Sequence, residues 1–346
     1  HAFQYNLAQG RAGSGIRGLT LLPLWVVEGI AEYLSVGRED AGTAMWLRDA
    51  IRREDLPTLE QLTTGQYFPY RYGQALWAYI GGRYGDDSIV DLYRRSLRVG
   101  WEPALRQVLG TSSDSLSVAW REAVEAEYLP LMAGRQAPGE SGALLLAPST
   151  GAGEQNVSPS VSPDGSLVAF LSEKDLFGID LFVADARTGE IQRKLVSANA
   201  NQHFDALRFI DSAGDWSPDG TRFVFAVFAD GDNELAIVNV ENGDIERQIK
   251  LDGIGAITSP AWSPDGQYIA FSGLDGGVSD IYTWDVDSGA LTQLTDDKHA
   301  DLQPTWSPDG STIAFVSDRG AITDFENLVY SKPQIAFLDV ASRQVT

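Results

Sequence analysis

The spacing of apolar residues changes once along the chain. Up to about residue 135 they recur three and four positions apart, and beyond about residue 154 they run or alternate in short stretches. In the first part Leu24–Val36, Thr43–Arg53, Tyr72–Tyr84, Ser88–Val99 and Ser115–Leu129 each read as an amphipathic helix, broken by Gly or Pro. In the second part Leu167-Val-Ala-Phe-Leu, Phe223-Val-Phe-Ala-Val-Phe, Tyr268-Ile-Ala-Phe-Ser and Thr312-Ile-Ala-Phe-Val are near-continuous apolar runs. Such runs suit strands covered on both faces. Alternating strands come after them: Asp180-Leu-Phe-Val-Ala-Asp, Glu234-Leu-Ala-Ile-Val-Asn and Asp280-Ile-Tyr-Thr-Trp-Asp. Residues 136–153, with Pro138, Gly139, Gly142, Pro148 and Gly151, read as a linker, and its Leu144-Leu-Leu is a candidate first strand of the second part.

The second part repeats. Ser-Pro-Asp-Gly occurs at Ser162–Gly165, Ser217–Gly220, Ser263–Gly266 and Ser307–Gly310, with starts 55, 46 and 44 residues apart. A period in the forties with several short strands per period is the signature of a β-propeller with four-stranded blades. Within each blade the Asp-Gly pair is a hairpin turn, since Asp tolerates a left-handed backbone and Gly takes positive φ without a Cβ clash. A second turn falls at Thr188-Gly189, Asn242-Gly243 and Ser288-Gly289. The residue before the motif is Trp216, Trp262 or Trp306, with Val161 in the first copy. That recurrence places the indoles between blades, with Trp306, in the last blade, the more exposed.

The full repeat, P-x-W-S-P-D-G-x-x-I-A-F-x-S and then D-I-Y-x-x-D-x-x-S/T-G and L-T, resembles that of TolB-like propellers, from about Pro148 to the end. The expected fold is therefore multidomain: residues 1–135 mainly helical, 136–153 a linker, and 154–346 about four propeller blades. The resemblance implies six or more blades in a closed ring, so the blade set is expected to be incomplete, with Thr346 inside the last strand of the fourth blade. Stacked repeats need neighbours to bury their faces.

Composition narrows the function. The 346 residues include no cysteine, which removes disulfides and Cys-based zinc sites. There is no run of 18 apolar residues to span a membrane. The net charge is −22 and uneven: residues 1–140 carry 14 basic and 17 acidic side chains, the remainder 12 and 31. The strongly acidic propeller argues against nucleic acid, whose phosphates require a positive surface. Many of the acids are turn Asp residues, so solubility accounts for them, and a cationic partner is the sharper alternative.

Two stretches of the helical part bear on chemistry. The chain opens His1-Ala-Phe-Gln-Tyr, and later reads Leu24-Trp-Val-Val-Glu-Gly-Ile-Ala-Glu-Tyr. Together they resemble the gluzincin zinc metallopeptidases of the peptidase-MA-like group. There a His-Glu-x-x-His helix gives two ligands, often with Phe-Gln after it, and a W-x-x-E-G-x-A-E-Y helix gives the third. The resemblance assigns His1 as the second histidine and Glu28 as the third ligand. The first histidine and the general-base Glu would lie four and three residues before His1. Two His at i and i+4 share a helical face, and a carboxylate from a second helix leaves the fourth position of a tetrahedral zinc for water. Gly29 would let the two helices approach closely. Glu32, one turn on, is the candidate carboxylate behind a ligand His, accepting a hydrogen bond from its other ring nitrogen. Tyr72 or Tyr70, from the Phe68-Pro-Tyr-Arg-Tyr-Gly stretch, is the candidate oxyanion stabiliser.

Other features read as ordinary. His203 and His299 fall in propeller loops, and Asp230-Gly-Asp-Asn-Glu reads as a turn rather than a calcium loop. No Gly-x-Ser-x-Gly, P-loop or dinucleotide fingerprint occurs. The expected protein is part of a zinc-dependent peptidase of the bacterial envelope, periplasmic or secreted, acting on protein or peptide. Its propeller binds a protein partner or limits substrate access. The alternative is a non-catalytic envelope scaffold in which the propeller alone does the binding, and the residues before His1 separate the two.

Overall fold

A computed structural model describes residues 1, 2, 4, 6, 19, 22–175, 178–197, 206–207, 214–229 and 231–346. His203 and Asp230 lie outside them. The chain divides into two compact units, His1–Pro138 and Gly139–Thr346.

In the first unit the helices are α1 (Leu24–Val36), α2 (Ala41–Arg52), α3 (Leu59–Thr63), α4 (Pro69–Tyr84), α5 (Asp86–Val99), α6 (Trp101–Val108), α7 (Ser113–Met132) and α8 (Pro138–Ser141). Near the start, Ala2, Gln4 and Asn6 are also helical. The five helices expected from periodicity are all present. The additional α3, α6 and α8 span 5, 8 and 4 residues, too few to show a period. α3 starts at a capping box, with Thr58 Oγ1 accepting from Gln61 N and Gln61 Oε1 from Thr58 N. α1 buries Trp25, Val26, Gly29, Ile30 and Tyr33, one stripe at helical spacing. Trp25 meets Trp77 at 6.2 Å and Trp101 edge-on at 5.6 Å, so aromatic packing joins α1, α4 and α6.

The second unit is a meander of antiparallel blades. Blade 1 is β1 (Asn156–Val161), β2 (Leu167–Ser172), β3 (Asp180–Asp185) and β4 (Ile191–Val196). In blade 2, β5 (Ala206–Leu207) and β6 (Asp215–Trp216) both pair with β7 (Arg222–Ala229), and β8 (Asp232–Asn239) and β9 (Ile245–Lys250) complete the sheet. Blade 3 is β10 (Ala256–Trp262), β11 (Tyr268–Asp275), β12 (Val278–Asp285) and β13 (Leu291–Gln293). Blade 4 is β14 (Asp301–Trp306), β15 (Thr312–Ser317) and β16 (Gln334–Asp339), with a Leu338–Val345 bridge beyond it.

Alternate residues of one strand serve two cores, which is why the runs read as continuously apolar. Phe223, Phe225 and Val227 of β7 pack with Ala169, Leu171, Leu181 and Val183 of blade 1. Val224 and Ala226, between them, pack with Ile257, Ile269, Phe271 and Tyr282 of blade 3. The same division recurs in β11, whose Ala270 joins Ile313, Phe315 and Leu338 of blade 4. Leu144-Leu-Leu is not a strand. Leu145 and Leu146 instead lie over the outer face of blade 1, beside Phe170 and Phe182, which would otherwise meet water.

The four Ser-Pro-Asp-Gly turns share one hydrogen-bond pattern. Each Ser Oγ donates to its Asp Oδ1 at 2.6 Å. Each Ser Oγ also accepts from the backbone N–H five residues on, at 2.8–3.0 Å. The Gly sits at φ between +71° and +76°, a region its lack of Cβ permits. The turns also stack: a Cβ on Gly220 would lie 3.9 Å from Pro163, one on Gly266 3.8 Å from Pro218, and one on Gly310 4.0 Å from Pro264.

A second repeated device has no signal in the motif itself. Ser158, Ser259 and Gln303 adopt φ of +53°, +50° and +55°, each just before a Pro, and the first strand of the blade slips register there.

The three tryptophans are equivalent in register but not in bonding. Trp216 and Trp262 are buried and Trp306 half-buried. Trp216 Nε1 donates to Ser160 O and Trp306 Nε1 to Ala261 O, each on the preceding blade. Trp262 Nε1 turns to Gly266 O in its own blade, under the Arg222 guanidinium at 5.1 Å. The tie to the preceding blade is made there by Trp262 N, which donates to Asp215 Oδ2 at 2.7 Å.

Candidate functional site

His1, Glu28 and Tyr70 come together in the first unit. His1 Nε2 stands 3.5 Å from Glu28 Oε2, with side-chain exposures of 56% and 17%. Glu28 Oε2 is shielded from solvent and has no hydrogen-bond partner among the described residues. His1 Nδ1 bonds Gln4 Oε1 at 2.6 Å, and Gln4 Nε2 donates to Val27 O at 2.5 Å. The Tyr70 hydroxyl lies against the Glu28 carboxylate, whose charge, together with burial, pushes the Tyr70 titration upward. Tyr93 is fully buried beside Gln4, and desolvation raises its titration to about 12.

The other two candidates lie elsewhere. Glu32 is held by Arg71 at 2.9 Å, and the same Arg71 nitrogen reaches Asp40 Oδ2 at 3.0 Å. Asp40 in turn caps α2 by accepting from Thr43 N. Glu32 thus joins an ion-pair network linking α1, α2 and α4. Tyr72 is buried, edge-on to Trp46 at 6.0 Å and Tyr67 at 5.8 Å, and desolvation raises its titration to about 12. The charged side chains that act on it most are Asp55, Asp49 and Arg53. Gly29 does permit a close helix approach, but to α4, where its Cβ would fall 2.5 Å from Gly73 Cα. That approach is what brings Tyr70 to Glu28.

Among the described residues no group of three or more His, Cys, Asp or Glu could hold a metal ion. His1 and Glu28 supply two donors of the types zinc takes, an imidazole nitrogen and a carboxylate oxygen. Two ligands at about 2.0–2.1 Å on a tetrahedral ion stand roughly 3.3–3.4 Å apart, close to the 3.5 Å between these atoms. The unpartnered, shielded Glu28 oxygen fits a ligand role, so this pair is compatible with zinc.

Residues to which the motifs gave no role support the candidates. Gln4 belongs to the Phe-Gln pair near the start of the chain, Arg71 sits between the two candidate tyrosines, and Gly73 is a second Gly inside an apolar helix. Tyr93 carried no signal of its own.

In the second unit His299 Nδ1 bonds Asp318 Oδ1 at 2.8 Å. Nearby, Asp301 is fully buried, accepts from Ser317 Oγ at 2.7 Å and pairs with Arg319, which also takes Asp297. Buried Asp280 accepts from Thr295 Oγ1 at 3.1 Å. These carboxylates are satisfied by their neighbours. No helix among the described residues is long and apolar enough to cross a membrane.

Comparison with known proteins bears on the second unit. Residues 210–331 match the family model of the TolB beta propeller domain. Uncharacterized protein Atu1656 of Agrobacterium fabrum (strain C58) is 28% identical over 141 residues, 41% of this chain and 44% of that protein. The structure of TolB from Acinetobacter baumannii aligns with 20% identity and a TM-score of 0.45, covering 68% of this chain and 59% of that one. A protein assigned as TolB from Agrobacterium tumefaciens aligns with 21% identity and a TM-score of 0.44, covering 55% and 63%. Each match spans less than two thirds of the relative. The second unit is a four-bladed β-propeller, and within it residues 210–331 are similar to the TolB beta propeller domain.

Proposed function

We propose that this chain is part of a zinc-dependent peptidase of the bacterial envelope, with His1 and Glu28 as two of the metal ligands and Tyr70 at the reacting carbonyl. The observation that carries the reading is the Glu28 carboxylate, shielded and unpartnered at Oε2, facing the imidazole of His1 across 3.5 Å. The remaining histidine and the general base belong four and three residues before His1. Zinc, when bound, supplies a Lewis acid that makes water a nucleophile near neutral pH. The residues of this chain do the holding: His1 and Glu28 present their donors, and the α1–α4 contact fixes the distance between Glu28 and Tyr70. A tyrosine hydroxyl there can donate a hydrogen bond to a carbonyl oxygen as negative charge develops on it. The propeller is the unit proposed to bind a protein partner or to limit access to the site.

The test is the metal content of the longer protein. With a His-Glu pair before His1, the purified protein should hold one zinc per chain, and Glu28→Gln should lose most of it while its circular dichroism stays unchanged. Residues other than His and Glu at those two positions, or full zinc content in Glu28→Gln, would overturn the reading in favour of a propeller-bearing scaffold.

A further inference from the structure

We infer that Gln4 is the positioning residue of this site, fixing which nitrogen of His1 is available as a donor; the inference rests on the proposed zinc site. The amide of Gln4 can be oriented in one way only. Its Nε2 lies 2.5 Å from Val27 O, and a carbonyl oxygen accepts but cannot donate, so the amide nitrogen must face it. Gln4 Oε1 is thereby turned to His1 Nδ1 at 2.6 Å, and two acceptors cannot share that contact. The proton of the neutral imidazole therefore resides on Nδ1. Nε2 keeps its lone pair, and it is Nε2 that faces Glu28 Oε2.

The arrangement also joins two elements. Val27 precedes Glu28 on α1, so one buried side chain holds the His1 ring and the α1 backbone beside the other proposed ligand. Gln4 is 1% exposed, which keeps water from competing for either bond. Partners that orient a ligand histidine in this way raise metal affinity by about 10- to 100-fold.

The test reads the tautomer directly. The sequence has three histidines, so the imidazole nitrogens of His1 can be assigned by nitrogen-15 NMR at a pH above the imidazole titration, with His299 as internal control. In this chain His1 should be the Nδ1–H form. Gln4→Met, of similar length and with only a weakly accepting thioether, should convert it largely to the Nε2–H form that an unconstrained histidine favours. Gln4→Glu, which still accepts from Nδ1–H, should keep the original form, so loss of fold in one variant does not decide the matter. In the longer protein, titration with Zn2+ alone should show Gln4→Met weaker by about 10- to 100-fold. An unchanged tautomer in Gln4→Met, or unchanged zinc affinity, would overturn the role of Gln4. Absence of zinc binding by the unsubstituted longer protein, with the tautomer still set by Gln4, would instead overturn the zinc reading and with it the functional meaning of the contact.

Discussion

Gly29 of α1 and Gly73 of α4 meet backbone to backbone: a Cβ on Gly29 would fall 2.5 Å from Gly73 Cα, and one on Gly73 2.7 Å from both Gly29 Cα and Trp25 O. No flexible side chain can move aside for either addition, so the helices themselves must separate. Gly73→Ala should therefore cost about 1–3 kcal/mol or more. It should also widen the gap between Glu28 and Tyr70. Thermal unfolding measures the first, and weakened zinc retention by the longer protein the second. A variant as stable as the original would show that the two helices do not pack this closely.

Tyr70 and Tyr72 are two residues apart in sequence but have different surroundings. Tyr70→Phe in the active longer protein should lower kcat by about 10²- to 10³-fold, the usual cost of losing one oxyanion donor, with little effect on stability. Tyr72→Phe should leave kcat nearly unchanged, because its ring packs against Trp46 and Tyr67 rather than facing Glu28. Glu32→Gln should weaken the Arg71 network and leave zinc content unaltered, since Glu32 Oε1 is engaged by Arg71 at 2.9 Å. Steady-state kinetics and metal analysis on the three variants separate these outcomes. This chain alone, with two of the proposed ligands, should cleave no casein and retain sub-stoichiometric zinc after dialysis.

Trp262 has a blade on either side. Replacing it by Ala should cost about 3–5 kcal/mol; Trp306→Ala, at a half-buried position, should cost less. Asp215→Ala should add a distinct loss of about 1–3 kcal/mol by leaving the Trp262 N–H without its acceptor. Chemical denaturation of the second unit gives all three values, and equal costs for the two tryptophans would contradict the packing between blades.

Arg343 adopts φ of +59° in the turn where the first three blades place Gly189, Gly243 and Gly289 at +73° to +80°. A side chain with a Cβ is strained in this region, and Gly is not. Arg343→Gly should stabilise the second unit by about 0.5–1 kcal/mol, seen as a higher Tm, whereas Gly289→Arg should lower it.

The Asp-Gly turns predict an acid limb in the stability profile. Hydrogen bonds from Ser162 Oγ and from Ser166 hold the Asp164 pKa down to about 2, and those from Ser307 and Ser311 do the same for Asp309. A carboxylate whose pKa is lower folded than unfolded contributes stability that is complete above the unfolded value, about 3.9, and is lost as pH falls through the folded value. Stability should therefore decline between about pH 4 and pH 2, and Asp309→Asn should make that decline shallower. An identical acid limb in the variant would remove this turn from the cause.

The sequence by itself determined the local structure and its repetition. Helical and strand periods, the Asp-Gly turns and the recurring Trp are set by side-chain spacing and backbone preference, which act within a few residues. They placed α1 within its bounds and gave four blades. The tertiary structure decided what those preferences leave open. Leu144-Leu-Leu has strand character, but its Leu145 and Leu146 cover Phe170 and Phe182, because an apolar blade face needs a lid more than the sheet needs another strand. Glu28 and Glu32 share a face of one helix, yet only the packing of α4 gives Arg71 to Glu32 and leaves Glu28 to His1. The distance between Tyr70 and Glu28 depends on two glycines 44 residues apart meeting across a helix crossing, and no local rule reports that contact.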